Sequence, residues 1–232
     1  MKKHIPNTIT CCNLICGCLA TFYAFQQDYS LALTFIISGA VFDFFDGFMA
    51  RLLGVSSPIG KELDSLADDI TFGFAPAAVV YSLLKEVPGL TGIESIDAYL
   101  PYAAFLIAAF SALRLAKFNL DERQATTFFG LPTPANALFW GALALGFRET
   151  LIEMPYAAAL LIGGVLLSSW ILVSDIPMFA LKFKHYGWKG NGLRYSFALL
   201  SILLLIFLGW SGFSLIIILY VLTSIANNFS TK

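Results

Sequence analysis

Long apolar runs decide what this chain can become. Eight segments, near residues 10–26, 31–52, 62–84, 98–118, 133–147, 154–173, 195–209 and 212–228, carry few charges. Most approach the roughly 20 apolar residues that a helix needs to cross a bilayer. In hydrocarbon every backbone N–H and C=O must find a partner, and a helix supplies those partners locally. The expected fold is therefore all-α, a polytopic membrane helix bundle of about eight transmembrane helices forming one domain over 1–232. Composition agrees: 12% of the residues are charged and 58% hydrophobic, against about 25% charged in an average soluble domain. The fifth and seventh segments are short. The last two meet at Leu208-Gly209-Trp210-Ser211-Gly212, read as a tight hairpin turn.

Lys and Arg set the expected orientation. With eight spans and a cytosolic N-terminus, the inner side holds Lys2, Lys3, Arg51, Lys61, Arg114, Lys117, Arg123, Lys182, Lys184, Lys189, Arg194 and Lys232. The outer side holds Lys85 and Arg148. A split of 12 to 2 favours this alternation, with both termini cytosolic. Met1-Lys2-Lys3-His4 is not followed by a signal-type cleavage site, so the first segment is expected to be a retained helix. Cys11, Cys12, Cys16 and Cys18 lack the paired spacing of a zinc site and read as small apolar packing residues with no disulfide. The inner stretch 174–194, with Lys182, Lys184, His185, Trp188, Lys189 and Arg194, suits the surface of membrane lipids, not nucleic acid.

The second and third segments break the apolar pattern. Asp43 and Asp46 interrupt Val41-Phe42-Asp43-Phe44-Phe45-Asp46-Gly47-Phe48. Asp64 and Asp68 follow in Gly60-Lys61-Glu62-Leu63-Asp64-Ser65-Leu66-Ala67-Asp68. An ionised carboxylate at the centre of a membrane helix costs about 2.5–3.5 kcal/mol on insertion scales, so such groups face partners or an aqueous cavity. Spacings of three and four put each pair on one helical face. The short connection makes the helices antiparallel neighbours, so the four carboxylates are expected to converge near the inner surface. Hard divalent ions, Mg²⁺, Mn²⁺ or Ca²⁺, would relieve their repulsion. Four carboxylates suffice for two ions and for phosphoryl-type transfer. Gly47, Ala50 and Gly60 are small enough beside the acids to admit a phosphate or nucleotide; close helix packing is the competing explanation.

The run Asp43-x2-Asp46-Gly47-x2-Ala50-Arg51-x8-Gly60-x3-Asp64-x3-Asp68 resembles the signature of the CDP-alcohol phosphatidyltransferases, with every defining position filled. The resemblance implies that Asp43, Asp46, Asp64 and Asp68 are metal ligands and that Asp68 is also the general base. It implies that Gly47, Ala50, Arg51, Ser57 and Gly60 meet the CDP part of the donor, CDP-diacylglycerol. Pro6-Asn7-Thr8-Ile9-Thr10 resembles the family's entry to its first helix, which adds Asn7 and Thr10 to that pocket; N-capping is their alternative role. A homodimer is implied as well.

Two further stretches resemble the bacterial and archaeal phosphatidylserine synthase branch of the family. They are Ala112-Leu113-Arg114-Leu115-Ala116-Lys117-Phe118-Asn119 and Phe128-Phe129-Gly130-Leu131-Pro132-Thr133-Pro134-Ala135-Asn136-Ala137. They imply L-serine as the acceptor, with Arg114, Lys117, Asn119, Pro132 and Pro134 near it. Lys117 stands where that branch has arginine, and lysine lacks the bidentate fork. The implied activity is transfer of a phosphatidyl group from CDP-diacylglycerol to serine at the cytosolic face of the inner (cytoplasmic) membrane. Glycerol 3-phosphate or an inositol phosphate is the alternative acceptor. A cation transporter built on the same acids is the alternative of another class, although repeated halves and broken helices are not seen in the sequence.

Overall fold

The computed structural model describes residues 4–121, 128–179, 187 and 191–230. Lys2, Lys3, Arg123, Lys182, Lys184, His185, Trp188, Lys189 and Lys232 lie outside them. Among the described residues the fold is all-α apart from one two-residue strand pair. Four described stretches are long and apolar enough to cross a membrane: His4–Phe25, Tyr29–Leu53, Glu94–Leu120 and Gly192–Asn228. Ala157–Val173 is apolar but shorter.

Helix α1 (His4–Phe25) and helix α2 (Tyr29–Leu53) are joined by a reversal in which Asp28 caps α2, its side chain accepting from Leu31 N at 3.0 Å. Helix α2 stops at Gly54, whose φ of 62° is open to glycine at little cost; its N–H caps the carbonyls of Ala50 and Arg51. Ser57 then caps α3 (Pro58–Asp68), with Pro58 in the first turn where its missing N–H is harmless. Three signals in five residues make this sharp connection.

The third segment, expected as one helix over 62–84, is one helical run with a change of pitch inside it. A π-helical stretch, Asp69–Phe74, separates α3 from α4 (Ala75–Glu86). Helix α4 is buried almost all round, through Ala77, Ala78, Val79, Val80, Leu83 and Leu84. Its uninterrupted apolar sequence thus reflects a central position among helices. The fourth segment begins as a short turn α5 (Glu94–Asp97) and a 3₁₀ stretch (Leu100–Phe105) before α6 (Leu106–Leu120).

Helix α7 (Thr133–Glu153) is longer than the expected 133–147, and α8 (Ala157–Val173) returns beside it. Trp140 on α7, 1% exposed, donates from its indole N–H to Ser168 on α8 at 3.2 Å. Strand Phe128–Phe129 pairs antiparallel with Pro177–Met178, and Gly130 N and Leu131 N donate to Ile176 O and Ile171 O. Gly130 has a φ of 72°, and a Cβ there would strike the carbonyl of Leu172, so the Gly-Leu-Pro turn is pinned to the end of α8. Helices α9 (Gly192–Leu208) and α10 (Gly212–Ser230) fold back on each other, since a Cβ on Gly212 would stand 2.8 Å from Leu204 O, a contact no continuous helix allows. The expected turn at Leu208–Gly212 is therefore observed. All four cysteines are free; Cys16 is buried and Cys11 and Cys18 are exposed.

The tightest crossing lies where α1, α2 and the π stretch meet. A Cβ on Gly17 would collide with the Thr71 hydroxyl and stand 2.8 Å from Thr71 Cα. A Cβ on Gly39 would stand 2.5 Å from Thr71 Cγ2. The backbone cannot yield there as a flexible side chain would. We expect Gly17→Ala to destabilise the protein by about 1–3 kcal/mol through overpacking. Thermal unfolding in detergent checks this; an unchanged transition would show that α1 is free to shift away.

Candidate active site

The α2–α3 hairpin carries all four aspartates, and the structure distributes them unequally. One carboxylate oxygen each from Asp43, Asp64 and Asp68 fall within 4.8 Å of one another. Asp46 is not part of that tight group. It is 6% exposed, and its Oδ2 accepts the Thr10 hydroxyl at 2.6 Å. The convergence expected of four carboxylates is thus a close group of three with a fourth beside it. Asp64 Oδ1 is buried without a hydrogen-bond partner. Crowded, partly desolvated carboxylates with a spare oxygen suit a hard divalent cation, and all the donors are oxygen. Lys61 Nζ does not neutralise them; it donates to Asn119 O at 3.1 Å.

Two cavities open beside this group, and Asp64 lines both. The first, about 240 Å³, is lined by Pro6, Asn7, Thr10, Asp46, Gly47, Ala50, Ser57, Gly60, Lys61 and Asp64 among others. It therefore gathers the residues that the signature assigned to the CDP-lipid, Arg51 excepted. Arg51 is exposed one turn beyond Gly47, its Nη1 3.5 Å from where a Gly47 Cβ would sit, at the rim of that cavity. Asn7 and Thr10 lie inside α1, one and two turns from its described start, so neither is an N-cap. Gly60 leaves its space to two polar groups: a Cβ there would be 3.0 Å from Ser57 Oγ and 3.2 Å from Asn7 Oδ1. Ser57 Oγ itself accepts from Gly60 N at 3.0 Å, which gives it a structural task as the cap of α3.

The second cavity, about 290 Å³, is lined by Asp43, Asp64, Ser65, Asp68, Arg114, Leu115, Phe118, Asn119, Pro132, Thr133 and Pro134. Arg114 is 8% exposed, and its Nε is buried without a hydrogen-bond partner. Its guanidinium carbon stands 5.7 Å from the Phe118 ring centroid. Asn119 Nδ2 donates to Ser65 Oγ at 2.7 Å, tying the end of α6 to α3. Lys117 departs from the expected set. It is exposed, does not line the cavity, and its Nζ donates to Val173 O at the end of α8, 3.0 Å away. Positions 114 and 117 stand about 60° apart around the helix, and Lys117 meets a carbonyl at the C-terminal end of α8 instead of the cavity.

Several residues escaped the sequence reading. Asn13 is fully buried and donates from Nδ2 to Asp68 Oδ1 at 3.0 Å. It lies three residues after Thr10, on the same helical face, and that polar pair within an apolar run was a usable signal. Lys61 and Thr133 line the two cavities without having been singled out. Neither carries a spacing that would mark it.

A half-buried group of three carboxylates lies between two cavities lined by polar residues. Comparison with known proteins gives the class. The model of the CDP-alcohol phosphatidyltransferase family matches residues 3–170, and the chain belongs to that family. It is a transferase, and the family assignment displaces the transporter alternative. The chain is similar to the CDP-diacylglycerol–serine O-phosphatidyltransferase of Bacillus subtilis strain 168, 34% identical over 184 residues, covering 79% of this chain and 92% of that protein. The protein of the same name from Helicobacter pylori strain J99 is 28% identical over 79% of this chain and 74% of its own. That from Methanocaldococcus jannaschii is 32% identical over 74% of this chain and 72% of its own.

Removing one carboxylate from the tight group tests its capacity for a cation. Asp64→Asn is expected to weaken Mn²⁺ binding about 10-fold or more, since one anionic ligand is lost from a site of few. Titration of the purified protein followed by the Mn²⁺ electron paramagnetic resonance signal reads it directly. An unchanged affinity would place the cation elsewhere.

Proposed function

We propose that this protein transfers the phosphatidyl group of CDP-diacylglycerol to the hydroxyl of L-serine, giving phosphatidylserine and CMP. The observation that carries the choice of acceptor is Arg114. Among the described residues lining the second cavity it is the one cation, it is buried, and its Nε lacks a partner. A single guanidinium suits a singly charged carboxylate. Glycerol 3-phosphate or an inositol phosphate carries a doubly charged group and would call for a richer basic pocket. The relatives named above support the same acceptor.

In this reading the first cavity takes the CDP portion of the donor, against Asn7, Thr10, Gly47, Ala50, Ser57 and Gly60, with Arg51 at its rim. The second cavity takes serine against Arg114, Asn119, Pro132 and Pro134, without Lys117. Asp68, which lines the serine side, accepts the proton of the serine hydroxyl as that oxygen attacks the phosphorus bonded to diacylglycerol. The P–O bond to the CMP phosphate breaks, and CMP leaves with the electron pair. Asp43, Asp46, Asp64 and Asp68 would hold Mg²⁺ or Mn²⁺, with capacity for two ions. The metal supplies neutralisation of the diphosphate and of the charge that grows on the leaving CMP.

The membrane arrangement follows the same reading. The apolar helices support a multi-pass membrane protein, and we assign it to the cytoplasmic membrane with eight spans. The 12 to 2 distribution of Lys and Arg supports cytosolic termini and a site facing the cytosol, where serine and CMP are handled. Residues 1–232 form one domain in this account, since α10 and the strand pair pack onto the same bundle that the family match covers. The homodimer rests on the family resemblance alone.

Purified protein supplied with CDP-diacylglycerol, Mg²⁺ or Mn²⁺ and each acceptor in turn should release CMP with L-serine. Release with glycerol 3-phosphate or inositol phosphate instead would retain the aspartate chemistry and reject serine. Asp68→Asn should lower turnover by about 10²–10⁴-fold, the usual worth of a general base, while CDP-diacylglycerol still binds. Near-normal turnover in that variant would reject the role given to Asp68.

A further inference from the structure

We propose that Asn13 is a positioning residue for Asp68, the side chain through which α1 sets the orientation of the catalytic carboxylate. The inference rests on the reading of Asp68 as general base and cation ligand. Asn13 is fully buried in the middle of α1, and its amide nitrogen donates to Asp68 Oδ1 at 3.0 Å. An ionised carboxylate only accepts, so the amide nitrogen and not the oxygen must face it. Asn13 Oδ1 is buried with no partner. An unsatisfied buried acceptor is a cost to folding that an apolar side chain of similar size would avoid. Packing alone therefore does not account for asparagine here.

The surroundings hold this contact in place. Thr71, at the π stretch that follows Asp68, donates its hydroxyl to the main-chain carbonyl of Asn13 at 3.0 Å. Gly39 supplies the room, because a Cβ on it would stand 2.9 Å from Asn13 Oδ1. Asn13 is thus clamped from α2 on one side and from the π stretch on the other, and it passes one fixed hydrogen bond to one oxygen of Asp68. The other oxygen is left for the cavity that Asp68 lines. A base that must meet both a cation and a hydroxyl proton needs a fixed carboxylate plane, and outer partners of ligands set that orientation.

The test is Asn13→Leu, which keeps the approximate size and removes the donor. Turnover number, KM for CDP-diacylglycerol, KM for serine and thermal unfolding are measured on the full-length protein. We expect kcat to fall about 10- to 100-fold, the usual effect of removing an outer partner of a ligand. Both KM values and the unfolding temperature should stay close to wild type. A kcat within about threefold of wild type, well below that effect, overturns the inference. So does a loss of kcat that only follows a loss of folded protein. If the leucine variant does not fold, Asn13→Ala and Asn13→Ser are compared per CDP-diacylglycerol-binding site: a similar fall supports the inference, and undiminished turnover per site overturns it. Asp68→Asn separates the two levels. Near-normal turnover of that variant defeats the proposed role of Asp68, whereas an inactive Asp68→Asn beside an active Asn13→Leu defeats only the role of Asn13.

Discussion

Three carboxylates held within 4.8 Å of one another inside an apolar bundle are the constraint on which the rest depends. At that separation each fully ionised pair repels by about 3 kcal/mol at an effective dielectric constant near 20. Three pairs approach the whole stability of a typical domain, about 5–15 kcal/mol. A divalent cation removes this repulsion, and a nucleotide diphosphate brings further negative charge that needs the same cation. In the proposed reaction, substrate and site would share the same counter-charge. The fold's task is to hold the acids together until it arrives.

The hairpin of α2 and α3 does this with local chemistry. Gly54 ends one helix, and Ser57 and Pro58 start the next, and across this turn Asp43 of α2 meets Asp64 and Asp68 of α3. Helix α1 then packs so closely on both that Gly17 and Gly39 have no space for a side chain against Thr71. This approach brings Thr10 to Asp46 and Asn13 to Asp68. The π stretch after Asp68 carries Thr71 into the same crossing, in keeping with the concentration of such stretches at functional sites. On the opposite side α6 and the start of α7 complete the second cavity through Arg114, Asn119 and Pro132.

Much of this was legible in the sequence because membrane helices leave few alternatives. Apolar length gave the helices, and the three- and four-residue spacing of the aspartates gave their shared faces. The short connection between the two acid-bearing segments gave the hairpin, although its helix stop and start at Gly54, Ser57 and Pro58 went unread. Three further things were not legible. The π stretch leaves no periodic trace, since it alters pitch over six residues inside a run that reads as continuous. The separation of Asp46 from its three companions depends on Thr10, a residue from another helix. Lys117 and Arg114 look alike as interfacial cations, yet one is buried in a cavity and the other capped by Val173 O. Their difference is set by where α8 ends, which no local pattern reports.

The most direct test of the central claim is a structure of the protein with Mn²⁺ and CDP-diacylglycerol, using anomalous scattering to locate the metal. The account predicts manganese among Asp43, Asp64 and Asp68, with the CDP moiety in the cavity lined by Asn7, Thr10 and Gly60. Manganese away from these aspartates, or a CDP moiety bound outside that cavity, would contradict it.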